Sequence, residues 1–260
     1  MWYFDMSMNR HNASELLDFM VEAGRVLVQK AGNIDDIGVM KQYLTEEDLR
    51  IERQIKRIVS KSLGSFYAEE ENENFVDADS VWICDPISGT QTFIEGKSHY
   101  AIVVSHMTKG KVDFAAVYDP SEDKLYVADQ EGLFINGEKF TRPKTKTNTI
   151  VYTPSRSWVD KELAESLRKK LESKYTLAPY QGSMAINYCM SSEGLFDGVV
   201  SLSKDSFPEF AGLFIANKAG LVATNINGDK SLSPSDRIFI CGTSENYDDL
   251  LVTTRDAIKA

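Results

Sequence analysis

Cysteine, histidine and proline are scarce in this chain, and its basic residues are outnumbered by acidic ones. Among 260 residues there are three cysteines, Cys84, Cys189 and Cys241, each in apolar surroundings and with no C-x-x-C spacing. That excludes a disulfide framework or a zinc-binding thiolate cluster in favour of reduced core thiols. No apolar run approaches the ~20 residues that span a bilayer, so no transmembrane helix and no membrane partner are expected. The opening MWYFDMSMNRHN has no basic stretch leading into an apolar segment and a small-residue cleavage site, which makes the cytoplasm the default location. With 29 Lys and Arg against 39 Asp and Glu, the formal net charge is −10. Nucleic-acid backbones and anionic membranes attract the opposite sign, so neither is an expected partner. A carboxylate cluster for divalent cations is compatible with this balance.

What is present is enough for one large domain or two smaller ones sharing an interface. Hydrophobic residues make up 42% and charged ones 26%, the ordinary proportions of a globular protein. Leu16, Leu17, Met20, Ala23, Leu27 and Val28 recur at helical spacing in ASELLDFMVEAGRVLVQKAG, with Asn12 and Ser14 as candidate N-caps and Gly32 marking the end. A second helix is predicted from Thr45, where Thr45-Glu46-Glu47-Asp48 resembles a capping box, to about Ser62-Leu63-Gly64. The period then changes. Val81 to Cys84, Tyr100 to His106, Val112 to Tyr118 and Lys124 to Ala128 are short β-branched or aromatic runs that predict one largely antiparallel sheet. The connector RPKTKTNT, 142 to 149, follows the turn signal Asn136-Gly137 and is the candidate junction between an N-terminal part (1–145) and a C-terminal α/β part (146–260). Beyond it, helices are predicted over Asp160 to Leu171, Ser183 to Glu193 and Phe210 to Gly220, with a strand at Gly198 to Leu202.

Three acidic features stand near the segment WICDPISGT (82 to 90): Asp48 at a helix start, the run Glu69-Glu70-Glu71, and Asp85 at a strand end. Hard cations such as Mg²⁺ take oxygen ligands and keep several waters, so a few carboxylates, a carbonyl and a phosphate oxygen suffice. Taken singly, each has a blander reading. Asp48 caps a helix, a glutamate run is a solvated loop, and Asp85 before Pro86 shapes a turn.

Their order changes the weighting. The chain reads Leu44-Thr45-Glu46-Glu47-Asp48, then Ala68-Glu69-Glu70, then Trp82 through Asp85-Pro86-Ile87-Ser88-Gly89-Thr90, then Phe207-Pro208-Glu209-Phe210-Ala211-Gly212 leading to Lys218-Ala219-Gly220. Phe114 to Pro120, Gly132 to Gly137, and Gly182-Ser183 through Asn187, Cys189, Gly194 and Asp197 extend the pattern over nearly the whole chain. In this it resembles the inositol monophosphatase family of metal-dependent phosphatases. The resemblance implies a layered α-β-α-β-α sandwich of the α+β or α/β class. It also implies a Mg²⁺ held by Glu69, Asp85 and the Ile87 carbonyl, an attacking water aligned by Asp48 and Thr90, and a small inositol or sugar phosphate as substrate. Substrate contacts would fall at Ser88, Gly89, Thr90, Gly182, Ser183 and Ser201, the last standing where the family has a glutamate. Gly89 and Thr90 can also turn backbone N–H groups toward a phosphate.

Two family ligands for a second cation correspond to Ser88 and Pro208, one a weak neutral ligand and the other with no side-chain oxygen. One Mg²⁺ site is therefore expected to be kept and the second degraded, with Asp205 or Glu209 as candidate substitute carboxylates. A slow, metal-demanding phosphatase and an inactive relative that binds a phosphorylated molecule or a protein both follow from this. Members of the family commonly dimerise, so a homodimer is an expectation of the resemblance. His99 in GKSHYAI is read as strand-start packing or as a surface residue, because metal-activated water needs no histidine.

Overall fold

The computed structural model describes residues 10–39, 43–62, 64–70, 79–155, 158–204 and 207–259. The chain opens with α1 (Arg10–Lys30) and α2 (Glu46–Val59). The predicted capping box is present: the Thr45 hydroxyl accepts from the Asp48 N–H, while Asp48 Oδ2 accepts from the Thr45 N–H at 2.8 Å. The same Oδ2 also takes the Thr45 hydroxyl proton at 2.6 Å, so the first turn of α2 is closed by Asp48 before that residue does anything else.

The first sheet has seven strands in chain order: β1 (Ser65–Ala68), β2 (Ser80–Ser88), β3 (Ala101–Thr108), β4 (Lys111–Asp119), β5 (Lys124–Asp129), β6 (Gly132–Ile135) and β7 (Glu138–Phe140). β1 pairs parallel with β2, and every later pairing is antiparallel. The largely antiparallel sheet read from the sequence is thus present, extended by β1, β6 and β7. The Asn136-Gly137 turn, with both residues at positive φ, joins β6 to β7. Past the connector, β8 (Thr149–Pro154), β9 (Thr176–Ala178), β10 (Gly198–Leu202), β11 (Val222–Asn225) and β12 (Ile238–Gly242) form a second sheet in the order β11-β12-β10-β8-β9. Between and after the strands run α3 (Thr90–Ile94), α4 (Lys161–Glu172), α5 (Met184–Glu193), α6 (Phe207–Lys218) and α7 (Tyr247–Ile258).

Strand alternation decides the layers, because successive side chains leave a strand on opposite faces. Ile102 and Val104 of β3, with Phe114, Ala116 and Tyr118 of β4, join Leu16, Met20, Ile51 and Ile55 of α1 and α2 in one core. Ala101, Val103, Ala115 and Val117 face the other way and meet Ala185, Ile186 and Cys189 of α5 and Ala211 and Ile215 of α6. The opposite side of α5 and α6, with Tyr188, Phe210 and Leu213, packs on Val151, Val199, Phe239 and Cys241 of the second sheet. That sheet's far face, Ile150, Val200 and Ile240, is covered by Leu167 and Leu171 of α4 and Leu250 of α7. The result is an α-β-α-β-α sandwich, whose strands carry apolar residues on both faces because helices cover both. The three cysteines are buried free thiols. No helix among the described residues is long and apolar enough to cross a membrane.

The central helix pair is close-fitted. A Cβ added at Gly212 of α6 would land on the Tyr188 ring of α5, which is itself fully buried. Gly212→Ala should therefore lower the denaturation midpoint, because overpacking a filled core costs about 1–3 kcal/mol. That cost outweighs the gain of about 1 kcal/mol that alanine brings over glycine in a helix. A midpoint equal to or above that of the parent protein in urea would contradict this packing.

Candidate metal and phosphate site

The site starts from an irregularity in β2. Asp85 pairs with Val103 and Ser88 with Ala101, so three steps along β2 match two along β3. Pro86 suits the bulge because it has no N–H to give to a ladder. The extra residue reverses the alternation: Trp82 and Cys84 share the α1/α2 core with Ile87, although an unbroken strand would send Ile87 to the opposite face. With the Ile87 side chain drawn into that core, its carbonyl accepts the Thr90 hydroxyl at 2.8 Å. Thr90 Oγ1 also stands 3.5 Å from Asp48 Oδ1. Gly89 between them has φ 86° and its backbone packs against the Gly182 carbonyl.

Glu69 follows β1, and its N–H donates to the Cys84 carbonyl at 3.1 Å, which sets it beside Asp85. The next N–H, of Glu70, donates to buried Glu52 at 3.0 Å. Charge accumulates here. The Cys84 thiol is pushed well above its usual range, first by burial and then by the charges of Glu52, Asp85, Glu69 and Glu70. Asp48 is fully buried, and burial pushes its carboxyl up to about 7; the Thr45 hydrogen bonds oppose the rise, and Glu70 and Glu69 add to it.

Glu69, Asp85, Ile87, Ser88, Gly89, Thr90 and Gly182 line one cavity of about 800 Å³. Asp48 lies under it in contact with Thr90, and Ser183 lies behind Ser88, fully buried, its hydroxyl donating to Ser88 Oγ at 2.8 Å. Ser201 is a correction to the expected substrate contacts. It sits in β10, the middle strand of the second sheet, is fully buried, and donates to Glu209 Oε1 at 2.6 Å. A central strand covered by helices on both faces leaves no opening for a ligand, so Ser201 is an internal donor. Glu71 and Asp205 lie outside the described residues, and Pro208 falls in the first turn of α6.

His99, Tyr43, Tyr180 and Gln181 also line the cavity. His99 does more than pack: its Nδ1 is 3.1 Å from Asp119 Oδ2 and its carbonyl accepts the Ser183 N–H at 2.8 Å. Its position just after the turn in GKSHYAI was a usable signal. Tyr43 and Tyr180 come from segments far apart in the chain, and no spacing in the sequence marks them.

The donor set tests which cations fit. Glu69, Asp85 and the Ile87 carbonyl offer oxygen only, around one cavity, which is the chemistry of Mg²⁺. The carbonyl keeps a second lone pair while it accepts Thr90. Of the candidate ligands for a second cation, Ser88 accepts from Ser183, Glu209 is enclosed by hydroxyls, and Asp205 lies outside the described residues. Among the described residues no group of three or more His, Cys, Asp or Glu side chains is arranged to hold a metal ion.

The raised Asp48 gives a pH prediction for metal-free protein. An unfolded aspartate ionises near 4 and the folded one at about 7, so the folded state binds the extra proton between those values. Its stability is then lost as pH rises through that window. Asp48→Asn, which cannot ionise, should be more stable than the parent protein at pH 8 in chelator, with the gap closing toward pH 4. Urea titrations at both pH values check this, and a gap independent of pH would contradict it.

Comparison with known proteins places this geometry. The model of the inositol monophosphatase family matches residues 11–260. A fructose-1,6-bisphosphatase/inositol-1-monophosphatase of Thermotoga maritima is 24% identical over 255 residues, covering 94% of this chain and 97% of that protein. The Nus factor SuhB of Vibrio cholerae is 24% identical over 229 residues, covering 84% and 86%. The solved structure of a Thermotoga maritima IMPase superposes with a TM-score of 0.80 at 23% identity, covering 97% of this chain and 99% of that one. With the family pattern matched from residue 11 to the last residue, and the same fold around it, the chain belongs to the inositol monophosphatase family.

Proposed function

We propose that the protein is a Mg²⁺-dependent phosphatase that hydrolyses a small phosphate monoester of the inositol or sugar type. The observation that carries this reading is the bulge, which brings the Ile87 carbonyl, Asp85, Glu69 and the Thr90–Asp48 pair to one cavity. A cation bound by Glu69, Asp85 and Ile87 would screen the phosphoryl charge and make a water more acidic. The chain's own residues supply alignment. Thr90 Oγ1 lies 2.8 Å from the Ile87 carbonyl and 3.5 Å from Asp48 Oδ1; in the reaction its hydroxyl swings from the carbonyl to Asp48 and passes its own proton to that carboxylate as it accepts one from the attacking water. Asp48, whose carboxyl burial pushes up to about 7, takes that proton in its ionised form. Water adds its oxygen to phosphorus, the phosphorus–ester bond breaks with its electron pair on the ester oxygen, and that oxygen takes up a proton to leave as the alcohol. The first N–H groups of α3, free of intrahelical partners by helix geometry, face the phosphate oxygens together with Gly89.

A second reading has its own support. Ser88 and Pro208 stand where the family holds a second cation, and Ser88 is tied to Ser183. In that reading the protein binds a phosphorylated small molecule or a protein partner without turning it over. The relative named a Nus factor makes a non-hydrolytic role a natural comparison. We favour hydrolysis because the approach of Thr90 to Asp48, at 3.5 Å, supports a water-aligning pair, which binding alone does not need. A cytoplasmic location and a homodimer accompany the proposal.

The test is phosphate release across sugar, inositol and nucleotide monophosphates with Mg²⁺. Release should depend on the metal, stop with a chelator, and fall about 100-fold or more in Glu69→Ala and in Asp85→Asn. Unchanged turnover in both variants would overturn the reading, and binding without release from any monoester would favour the second one.

A further inference from the structure

Hydroxyl groups engage both oxygen-bearing side chains that could join Asp85 in holding a second cation, Ser88 and Glu209. Ser88 is 5% exposed, and its oxygen accepts the proton of fully buried Ser183, whose N–H is fixed on the His99 carbonyl. Glu209, one residue past Pro208, is fully buried with Ser201 at 2.6 Å and Ser203 at 2.8 Å on Oε1 and Tyr188 at 2.5 Å on Oε2. Drawing that carboxylate toward a cation would strip the buried hydroxyls of Ser201 and Tyr188, and the half-buried one of Ser203, of their acceptor, at about 1–3 kcal/mol for each buried group. Among the described residues the acidic side chains that line the cavity are Glu69, Asp85 and Glu95, and Glu209 is not one of them.

Tyr180 stands over the same place. It lines the cavity with Asp85 and Ser88, and the segment that carries it is fastened: Gln181 N–H donates to Asn187 Oδ1 at 3.1 Å and Asn187 Nδ2 to the Ser183 carbonyl at 2.6 Å. Tyr180 as a whole is 46% exposed. Burial, and after it the charges of Glu209 and Asp85, hold the phenol above the usual tyrosine range, so it keeps its proton and remains a donor.

We propose that this site takes one divalent cation rather than two, and that the Tyr180 hydroxyl, from the cavity wall it shares with Asp85 and Ser88, donates to the phosphoryl group in place of a second cation. The inference rests on the cavity being a phosphate site, as in the function proposed above. A neutral donor adds a directed hydrogen bond without adding charge, so the phosphate keeps more of its negative charge than it would between two cations.

The test uses the full chain. Mn²⁺ is titrated in the presence of inorganic phosphate, and bound ions per chain are counted by electron paramagnetic resonance. One is expected, and two would overturn the proposal. Inorganic phosphate is then titrated into the Mn²⁺-loaded protein and into Tyr180→Phe. The variant should bind phosphate about tenfold more weakly, as expected for one lost hydrogen bond to an anion, with its Mn²⁺ count and melting temperature unchanged. Equal phosphate affinity would overturn the role of Tyr180. The count and the affinity are read without turnover. A protein that binds one Mn²⁺ and depends on Tyr180 but releases no phosphate from any monoester overturns the phosphatase reading alone. One that turns over with two Mn²⁺ overturns this inference alone.

Discussion

The extra residue between Asp85 and Ser88 is the constraint on which the site depends. Without it β2 would continue in register with β3, Ile87 would face the central helices, and its carbonyl would be spent on the ladder. With it, Ile87 anchors in the α1/α2 core while the backbone turns into Gly89 and α3. The anchoring is hydrophobic and strong, about 1.5–3 kcal/mol for a buried isoleucine side chain. The polar consequence follows from it: the carbonyl and the Thr90 hydroxyl are held 2.8 Å apart with Asp48 beneath.

The layers hold the rest of the cavity to that turn. α5 and α6 are buried on both sides, by the first sheet through Ala185 and Ile215 and by the second through Tyr188 and Phe210. A helix pair enclosed in this way cannot slide without disturbing two cores. The segment that enters α5, Tyr180 to Ser183, inherits that rigidity, and the Ser183 contacts with His99 and Ser88 close the joint. The cavity wall is thus assembled from both halves of the chain although the acidic residues come only from the first.

Electrostatics sets the other side of the balance. Asp48, Glu52, Glu69, Glu70 and Asp85 gather around Cys84; burial first, and their charges after it, raise Asp48 and hold the Cys84 thiol protonated. Concentrated negative charge of this kind is relieved by a cation. Glu209, by contrast, is engaged by the hydroxyls of Tyr188, Ser201 and Ser203, so it serves as an internal acceptor. The two look alike in composition and differ only in their partners.

Much of this was legible in the chain. Period-2 runs gave the main strands of the first sheet, the Thr45–Asp48 spacing gave a real capping box, and the Asp85 to Thr90 segment carried its chemistry in local order, because caps, bulges and tight turns are decided by neighbours in sequence. The loss of charge at Ser88 and Pro208 could also be read there. Ser201 was misplaced because correspondence in sequence carries no burial: only the packing of β10 between two strands and under helices shows that its hydroxyl turns inward to Glu209. Tyr180, Tyr43 and the role of His99 belong to the same class. The sequence by itself determined the layered fold and the acid-rich turn. Tertiary structure alone decided which hydroxyls are occupied, which face the cavity, and what stands beside Asp85, because those depend on contacts between residues about a hundred positions apart, such as Ser88 and Ser183.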